Sequence, residues 1–250
     1  MKYESYIFDL YGTLVDIHTD EEKKELWSKL ALFYGYYDAH YTPEELKRRY
    51  NALVSGKEEQ LKHRLNQMTE KRDDVHESHP EIRIEQVFGA LFEEKGVMAD
   101  EELVVHAGQF FRILSTEYVR LYDGVIKMLE ALKASGSKVY LLSNAQRIFT
   151  EYEMHTLGIA SYFDDIFISS EYGVKKPDIR FFEKMIQKHR IDVTKSIMIG
   201  NDAKSDIWGA KNVGLATCYI HSNISPDTPV MPDADYVLAE MDMERLLKLL

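Results

Sequence analysis

The sequence predicts an α/β protein built on a doubly wound parallel sheet, with a long helical stretch inserted after the first strand. Two observations carry this. From Val125 onward, short and nearly continuous apolar runs alternate with helical stretches of about 10–15 residues, and a similar run stands alone at residues 3–9. Strands covered by helices on both faces lose the polar–apolar alternation, so runs of this kind indicate parallel strands in a doubly covered sheet. Between residue 19 and residue 121 the periodicity is helical, and no convincing strand interrupts it.

Each element has a local reason. Residues 3–9 form a strand that stops on Asp9 and is followed by Gly12-Thr13. Thr19-Asp20-Glu21-Glu22 precedes Leu26, Trp27, Leu30 and Phe33 at helical spacing, a helix start. Thr42-Pro43-Glu44-Glu45 is a capping box with proline at the first helical position. Arg83–Gly96 and Asp100–Tyr122 read as two more helices, and Lys71–Pro80, with His76 and His79, as a polar loop. The sheet resumes with Lys138–Leu142, ending at Ser143-Asn144, and Ile166–Ile168, ending at Ser169-Ser170. Ser196–Ile199 ends at Gly200-Asn201-Asp202, and Ala216–Ile220 and Tyr236–Leu238 complete the set, with a proline-rich loop at Ser225–Pro232. The expected organisation is a core domain of residues 1–16 and 121–250 and a helical domain of residues 17–120.

Composition narrows the class. A chain of 250 residues with 45% hydrophobic and 29% charged residues can bury a sizeable core and suits a soluble globular protein. A formal charge of −11 argues against nonspecific nucleic-acid binding and against an anionic membrane surface. An anionic small substrate stays compatible with it, because one lysine and a metal ion can invert the local potential. No basic-then-apolar leader and no long apolar run suggests export or membrane insertion, and the single cysteine, Cys218, leaves no internal disulfide. A cytoplasmic, reduced protein is expected.

The polar residues at the strand ends are the functional signal. Right-handed crossovers bring the carboxyl ends of parallel strands to one edge of the sheet. Asp9, Ser143, the Ser169/Ser170 pair and Asn201/Asp202 would gather there, with Lys175-Lys176-Pro177-Asp178 in the loop after the third strand. Each has a plain alternative: an aspartate after a strand is often an N-cap, and a lone lysine is usually solvated. In this order, each following a strand, they fit chemistry on a phosphoryl group or another electrophile held by cations.

These residues resemble the four ordered motifs of the haloacid dehalogenase-like hydrolase superfamily. Asp9 with Thr13 looks like motif I, Leu142-Ser143-Asn144 like motif II, Lys176 in Lys-Pro-Asp like motif III, and Gly200-Asn201-Asp202 with Asp206 like motif IV. The helical insertion resembles the cap that this superfamily places between motifs I and II on its Rossmann-like core. The resemblance implies that Asp9 is a nucleophile forming a covalent aspartyl intermediate, and that Thr13, Ser143 and Asn144 contact the substrate's anionic group. It implies that Lys176 neutralises charge, and that Asp9, the backbone carbonyl of Tyr11 and Asp202 hold Mg²⁺. Asp206 and Asn201 would stand behind these ligands; Asn201 occupies a slot that is often acidic in the superfamily.

Tyr11 departs from the pattern. The superfamily's phosphatases carry there an aspartate that protonates the leaving oxygen and then activates water, and losing such help typically costs about 10²–10⁴-fold. A tyrosine in this place is typical of the L-2-haloacid dehalogenases, whose halide leaves without a proton and which work without Mg²⁺. Asp202 points the other way, because those dehalogenases lack a carboxylate in its slot. Like charges at about 4 Å repel by roughly 1 kcal/mol even in water, so an acidic motif IV beside Asp9 implies a cation between them. Tyr34, Tyr36, Tyr37 and Tyr41 read as packing within the helical unit, with no arginine among residues 34–41 to grip a carboxylate. The expectation is a Mg²⁺-dependent phosphatase of a phosphorylated small molecule, with Tyr11 in the acid/base slot. A metal-independent dehalogenase and a low-activity phosphometabolite-binding protein stay open beside it.

Overall fold

A computed structural model describes residues 1–69, 78–227 and 232–250. The elements run β1 (Ser5–Phe8), β2 (Val15–Thr19), α1 (Lys24–Gly35), α2 (Pro43–Thr69), α3 (Glu85–Glu93), α4 (Glu101–Ser115) and β3 (Thr116–Leu121). They continue with α5 (Val125–Ala134), β4 (Lys138–Ser143), α6 (Arg147–Thr156), β5 (Asp165–Ile168), α7 (Ser169–Tyr172), α8 (Ile179–His189) and β6 (Ser196–Gly200). After a π-helical turn at Ala203–Trp208 come α9 (Gly209–Lys211), β7 (Ala216–Ile220), β8 (Tyr236–Leu238) and α10 (Met243–Leu249).

The main sheet is parallel throughout, in the order β5-β4-β1-β6-β7-β8. Successive side chains of a strand face opposite sides, and β1 divides its residues accordingly. Tyr6 and Phe8 pack with Val139, Leu141, Ile197 and Ile199 against Met128 and Leu129 of α5 and Leu246 of α10. Ile7 joins Tyr140, Leu142 and Met198 against Phe181, Phe182 and Met185 of α8. This double burial explains the continuous apolar runs. From β1 the chain builds outward to β4 and β5, then returns to the other side of β1 with β6. The carboxyl ends of β1 and β6 therefore flank the topological switch point, where open α/β sheets form their binding crevice.

Helices α1–α4 have an apolar core of their own, containing Trp27, Leu30, Tyr34, Tyr50, Phe88, Leu91, Phe92 and Phe111. Thr42 caps α2 by accepting from Glu45 N at 3.1 Å, as its start signal predicts, and Asp100 caps α4 by accepting from Leu103 N at 2.8 Å. The start signal at Thr19–Glu22 is not used, because Thr19 ends β2 and α1 begins at Lys24 without a side-chain cap. Of the tyrosines at residues 34–41, Tyr34 and Tyr41 donate to the carbonyls of Phe88 and Leu91 and pack inside this unit. Phe149 of α6 also reaches into this core and stacks on Phe111.

Two expectations need correction. The expected helix Asp100–Tyr122 ends at Ser115, and residues 116–121 continue as β3. Strand β3 pairs antiparallel with β2, so the helical stretch is entered and left through a two-stranded ribbon where no strand was expected. The buried carboxylate of Asp16 fastens this ribbon through Arg120 at 2.7 Å and Asn223 at 2.9 Å. Of the expected loops at Lys71–Pro80 and Ser225–Pro232, residues 71–77 and 228–231 lie outside the described residues. Among the described residues no helix is long and apolar enough to cross a membrane.

Candidate active site

Strand β1 hands its last hydrogen bond to Asp9, whose N–H donates to Ile199 O of β6 at 3.0 Å. The chain then closes a tight turn in which Leu10 O accepts from Leu14 N and Val15 N, and Gly12 N donates to Val15 O. Gly12 has φ +87°, and a Cβ there would collide with the Asn201 amide, so the turn needs glycine twice over. The turn leaves the Tyr11 carbonyl without a donor among the described residues.

Lys176 is 2% exposed and its ammonium lies between two carboxylates, 2.7 Å from Asp9 Oδ1 and 2.6 Å from Asp206 Oδ1. Burial by itself would lower its pKa; the charges of Asp206 and Asp9 outweigh burial and raise it, so the group stays cationic. Burial foremost, and the Asp9 charge with it, pushes Asp206 up to about 7 against the pull of Lys176. Asp206 fits beside β6 because residue 200 is glycine: a Cβ there would overlap its carboxylate. Asp206 Oδ2 also accepts from Asp202 N at 3.0 Å, which closes the turn that follows β6.

Ser143, at the end of β4, is 1% exposed, and its Oγ has no hydrogen-bond partner among the described residues. A buried hydroxyl in that condition costs stability, which suits a group kept for a ligand. Asn144 behaves otherwise than expected. Its amide is engaged twice by the main chain of Lys176, accepting from Lys176 N at 2.8 Å and donating to Lys176 O at 2.9 Å, so it braces the lysine loop. Thr13 is fully buried and donates to Asn201 Oδ1 at 3.4 Å, while Asn201 Nδ2 reaches Ser222 and Ser225, also at 3.4 Å. Asn201 thereby links the Asp9–Thr13 turn to the loop after β7.

Asp202 caps the turn that follows it. Its Oδ1 accepts from Lys204 N at 2.8 Å and Ser205 N at 2.9 Å, and its Oδ2 accepts from Ser205 Oγ at 2.9 Å. A carboxylate oxygen holds two lone pairs, so Oδ2 keeps capacity for a cation. No group of three His, Cys, Asp or Glu side chains forms a self-contained metal cage among the described residues. The available donors are carboxylates of Asp9 and Asp202 and the carbonyl of Tyr11. A hard-oxygen set of this kind, completed by water and substrate, fits Mg²⁺.

The Tyr11 hydroxyl is engaged by side chains of α6. It donates to Glu153 Oε2 at 2.5 Å and lies 3.1 Å from Thr150 Oγ1. Glu153 in turn accepts from Arg112 Nε at 2.6 Å, and the guanidinium sits over the Tyr11 ring at 5.7 Å. Burial first, then the Glu153 charge, drives the phenol pKa further above its ordinary value, against the pull of Arg112. Arg112 and Glu153 escaped sequence reasoning. The available signal was a charge on an apolar stripe: Arg112 lies in register with buried Gly108 and Ser115, and Glu153 with buried Phe149 and Thr150.

Fold and site together define a doubly wound α/β protein with Asp9, Lys176 and Asp206 buried together at the switch point of its sheet. The chain belongs to the haloacid dehalogenase-like hydrolase family, whose model matches residues 3–214. It is 27% identical over 161 residues to a glyceraldehyde 3-phosphate phosphatase of Methanothermobacter thermautotrophicus, covering 64% of this chain and 68% of that enzyme. It spans about half the length of several further curated relatives. Among solved structures it resembles a 2-haloacid dehalogenase from Pseudomonas syringae, with TM-score 0.63 at 21% identity over 99% of this chain and 97% of the other. It also resembles the HAD-hydrolase YfnB of Bacillus subtilis, described as bound to magnesium, with TM-score 0.54 at 22% identity over 100% and 99% of the chains. At these identities the structural likenesses establish the fold.

Proposed function

We propose that this hydrolase is a Mg²⁺-dependent phosphatase of small phosphorylated molecules, acting through an aspartyl-phosphate at Asp9 beneath a cap formed by residues 17–120. The observation that carries this reading is Asp202, a carboxylate at the end of β6, the strand that neighbours β1 and the nucleophile. Beside Asp9 it is accommodated best by a divalent cation. The name of the relative from Methanothermobacter thermautotrophicus supports a phosphorylated substrate.

In this reading Asp9, the Tyr11 carbonyl and Asp202 would hold Mg²⁺, which when bound supplies positive charge to the phosphoryl oxygens. Asp9 attacks phosphorus through a carboxylate oxygen, the P–O bond to the alcohol breaks, and the leaving oxygen takes a proton. Lys176 and the free Ser143 hydroxyl stabilise the charge on the transferred group, an electrostatic role that needs no rearrangement. Water then attacks phosphorus, releasing inorganic phosphate and restoring Asp9. The proton steps fall to solvent, because the Tyr11 hydroxyl is held by Glu153 and Thr150. Esters with acidic leaving groups should react readily and alkyl esters slowly.

The test is hydrolysis of a generic aryl phosphate. Activity in Mg²⁺ that EDTA abolishes supports the reading, as does a higher rate on alkyl phosphates for Tyr11→Asp. Tyr11 itself favours one other reading, dehalogenation. Halide release from 2-chloropropionate that EDTA leaves unaffected would establish it. No turnover on a broad phosphate panel, with Mg²⁺-dependent thermal stabilisation by a phosphorylated ligand, would point to a binding protein.

A further inference from the structure

Residues 78–84 connect the helical unit back to the sheet's functional edge at some distance from the β2–β3 ribbon. Pro80 forms an antiparallel bridge with Val174, flanked by Glu81 N to Gly173 O at 3.2 Å and Lys175 N to His79 O at 3.0 Å. His79 N donates to Asp178 Oδ2 at 3.3 Å, and Arg180 Nη2 donates to Ser78 Oγ at 3.1 Å. The segment therefore runs along residues 173–180, the loop that presents Lys176.

One side chain anchors it. Glu81 accepts from Gln146 Nε2 at 2.8 Å and from Ser169 Oγ at 3.2 Å, and its Oε2 lies 3.6 Å from Lys175 Nζ. Gln146 completes the junction, donating to Ile82 O and accepting from Ile84 N, each at 3.0 Å. A single carboxylate of the inserted unit thus touches the loop after β4, the start of α7 after β5, and the residue beside Lys176. Asn144 grips the Lys176 main chain from the other side.

We propose that Glu81 is a positioning residue for Lys176: it fixes the strand-like segment 78–82 against residues 173–178, so the inserted unit helps set the lysine's place between Asp9 and Asp206. The catalytic consequence rests on the phosphatase reading; the positioning claim does not. Replacing Glu81 by alanine removes three contacts at once and frees the segment, and a misplacement of about 1 Å can cost about 10²-fold in rate. Glu81→Gln keeps an acceptor for Gln146 and a partner for Ser169, so the conservative variant should rescue.

The experiment combines amide hydrogen exchange with kinetics on the full chain. In Glu81→Ala, exchange at Lys175 and Lys176 should accelerate by about tenfold or more, with kcat on an aryl phosphate reduced by about 10²-fold and KM little changed. Glu81→Gln and the control Arg83→Ala, whose partner Glu85 lies outside this junction, should match the wild type in both. Unchanged exchange in Glu81→Ala overturns the proposal, as does an equal loss in Glu81→Gln. A wild type that hydrolyses no phosphate would instead defeat the phosphatase reading, and the exchange measurement would still decide the role of Glu81.

Discussion

Replacing Ser143 with alanine should make the protein more stable and less able to bind its substrate. The hydroxyl is buried at the end of β4 with no partner among the described residues. An unsatisfied buried hydroxyl costs about 1–3 kcal/mol, and deleting it leaves an apolar group of nearly the same shape. Ser143→Ala should therefore gain about 1 kcal/mol or more, or roughly 2–4 °C in melting temperature for a chain of this size. The opposite sign is expected with a phosphoryl ligand. A ligand at 100 times its Kd stabilises the folded state by about 2.7 kcal/mol. A hydrogen bond to a charged group contributes about 1.5–3 kcal/mol, so the variant should lose most of the stabilisation that inorganic phosphate confers in Mg²⁺. Thermal denaturation of both proteins, with and without phosphate, supplies the four melting temperatures. A less stable free variant would mean that the hydroxyl already has a partner, and equal shifts with phosphate would mean that it meets no ligand. Either result would rule out an unpaired, ligand-facing hydroxyl at Ser143.

Lys176→Met leaves Asp9 and Asp206 facing each other without their cation and should cost about 3–5 kcal/mol, roughly 6–20 °C in Tm; adding Asp206→Asn should restore part of it in the same melt. Arg112→Met strands the buried Glu153 carboxylate and should lower Tm, whereas the double variant with Glu153→Met should return near the wild type in a double-mutant cycle. The Cys218 thiol is pushed up to about 12 by burial, so a disulfide reagent should modify it only after denaturant unfolds the chain.

The parallel core was legible because its physics is local. Strands buried on both faces leave continuous apolar runs, and a crevice at their carboxyl ends forces polar residues to follow them. Asp9, Ser143 and the loop of Lys176 stand out on this ground, whereas Asp206 enters only through its likeness to motif IV. The ribbon was not legible. Thr116, Tyr118 and Val119 favour strands, but nothing local separates them from α4, and what makes them a strand is pairing with Val15–Thr19 about a hundred residues earlier. The same limit applies to Tyr11. Its place in the sequence identified the slot, but the direction of its hydroxyl depends on Glu153 and Arg112, two charges on apolar helix stripes whose meeting only the folded chain reveals. Asn144 likewise looked available to substrate until its amide was found gripping the Lys176 main chain.

In the proposed mechanism Asp9 becomes phosphorylated. A Mg²⁺ reaction with an aryl phosphate, quenched in acid during turnover and digested, should yield a peptide containing Asp9 that is heavier by one phosphoryl group. Asp9→Asn should yield no such peptide and no turnover. An unmodified Asp9 during active turnover, or an Asp9→Asn variant that keeps its activity, would exclude Asp9 as the nucleophile.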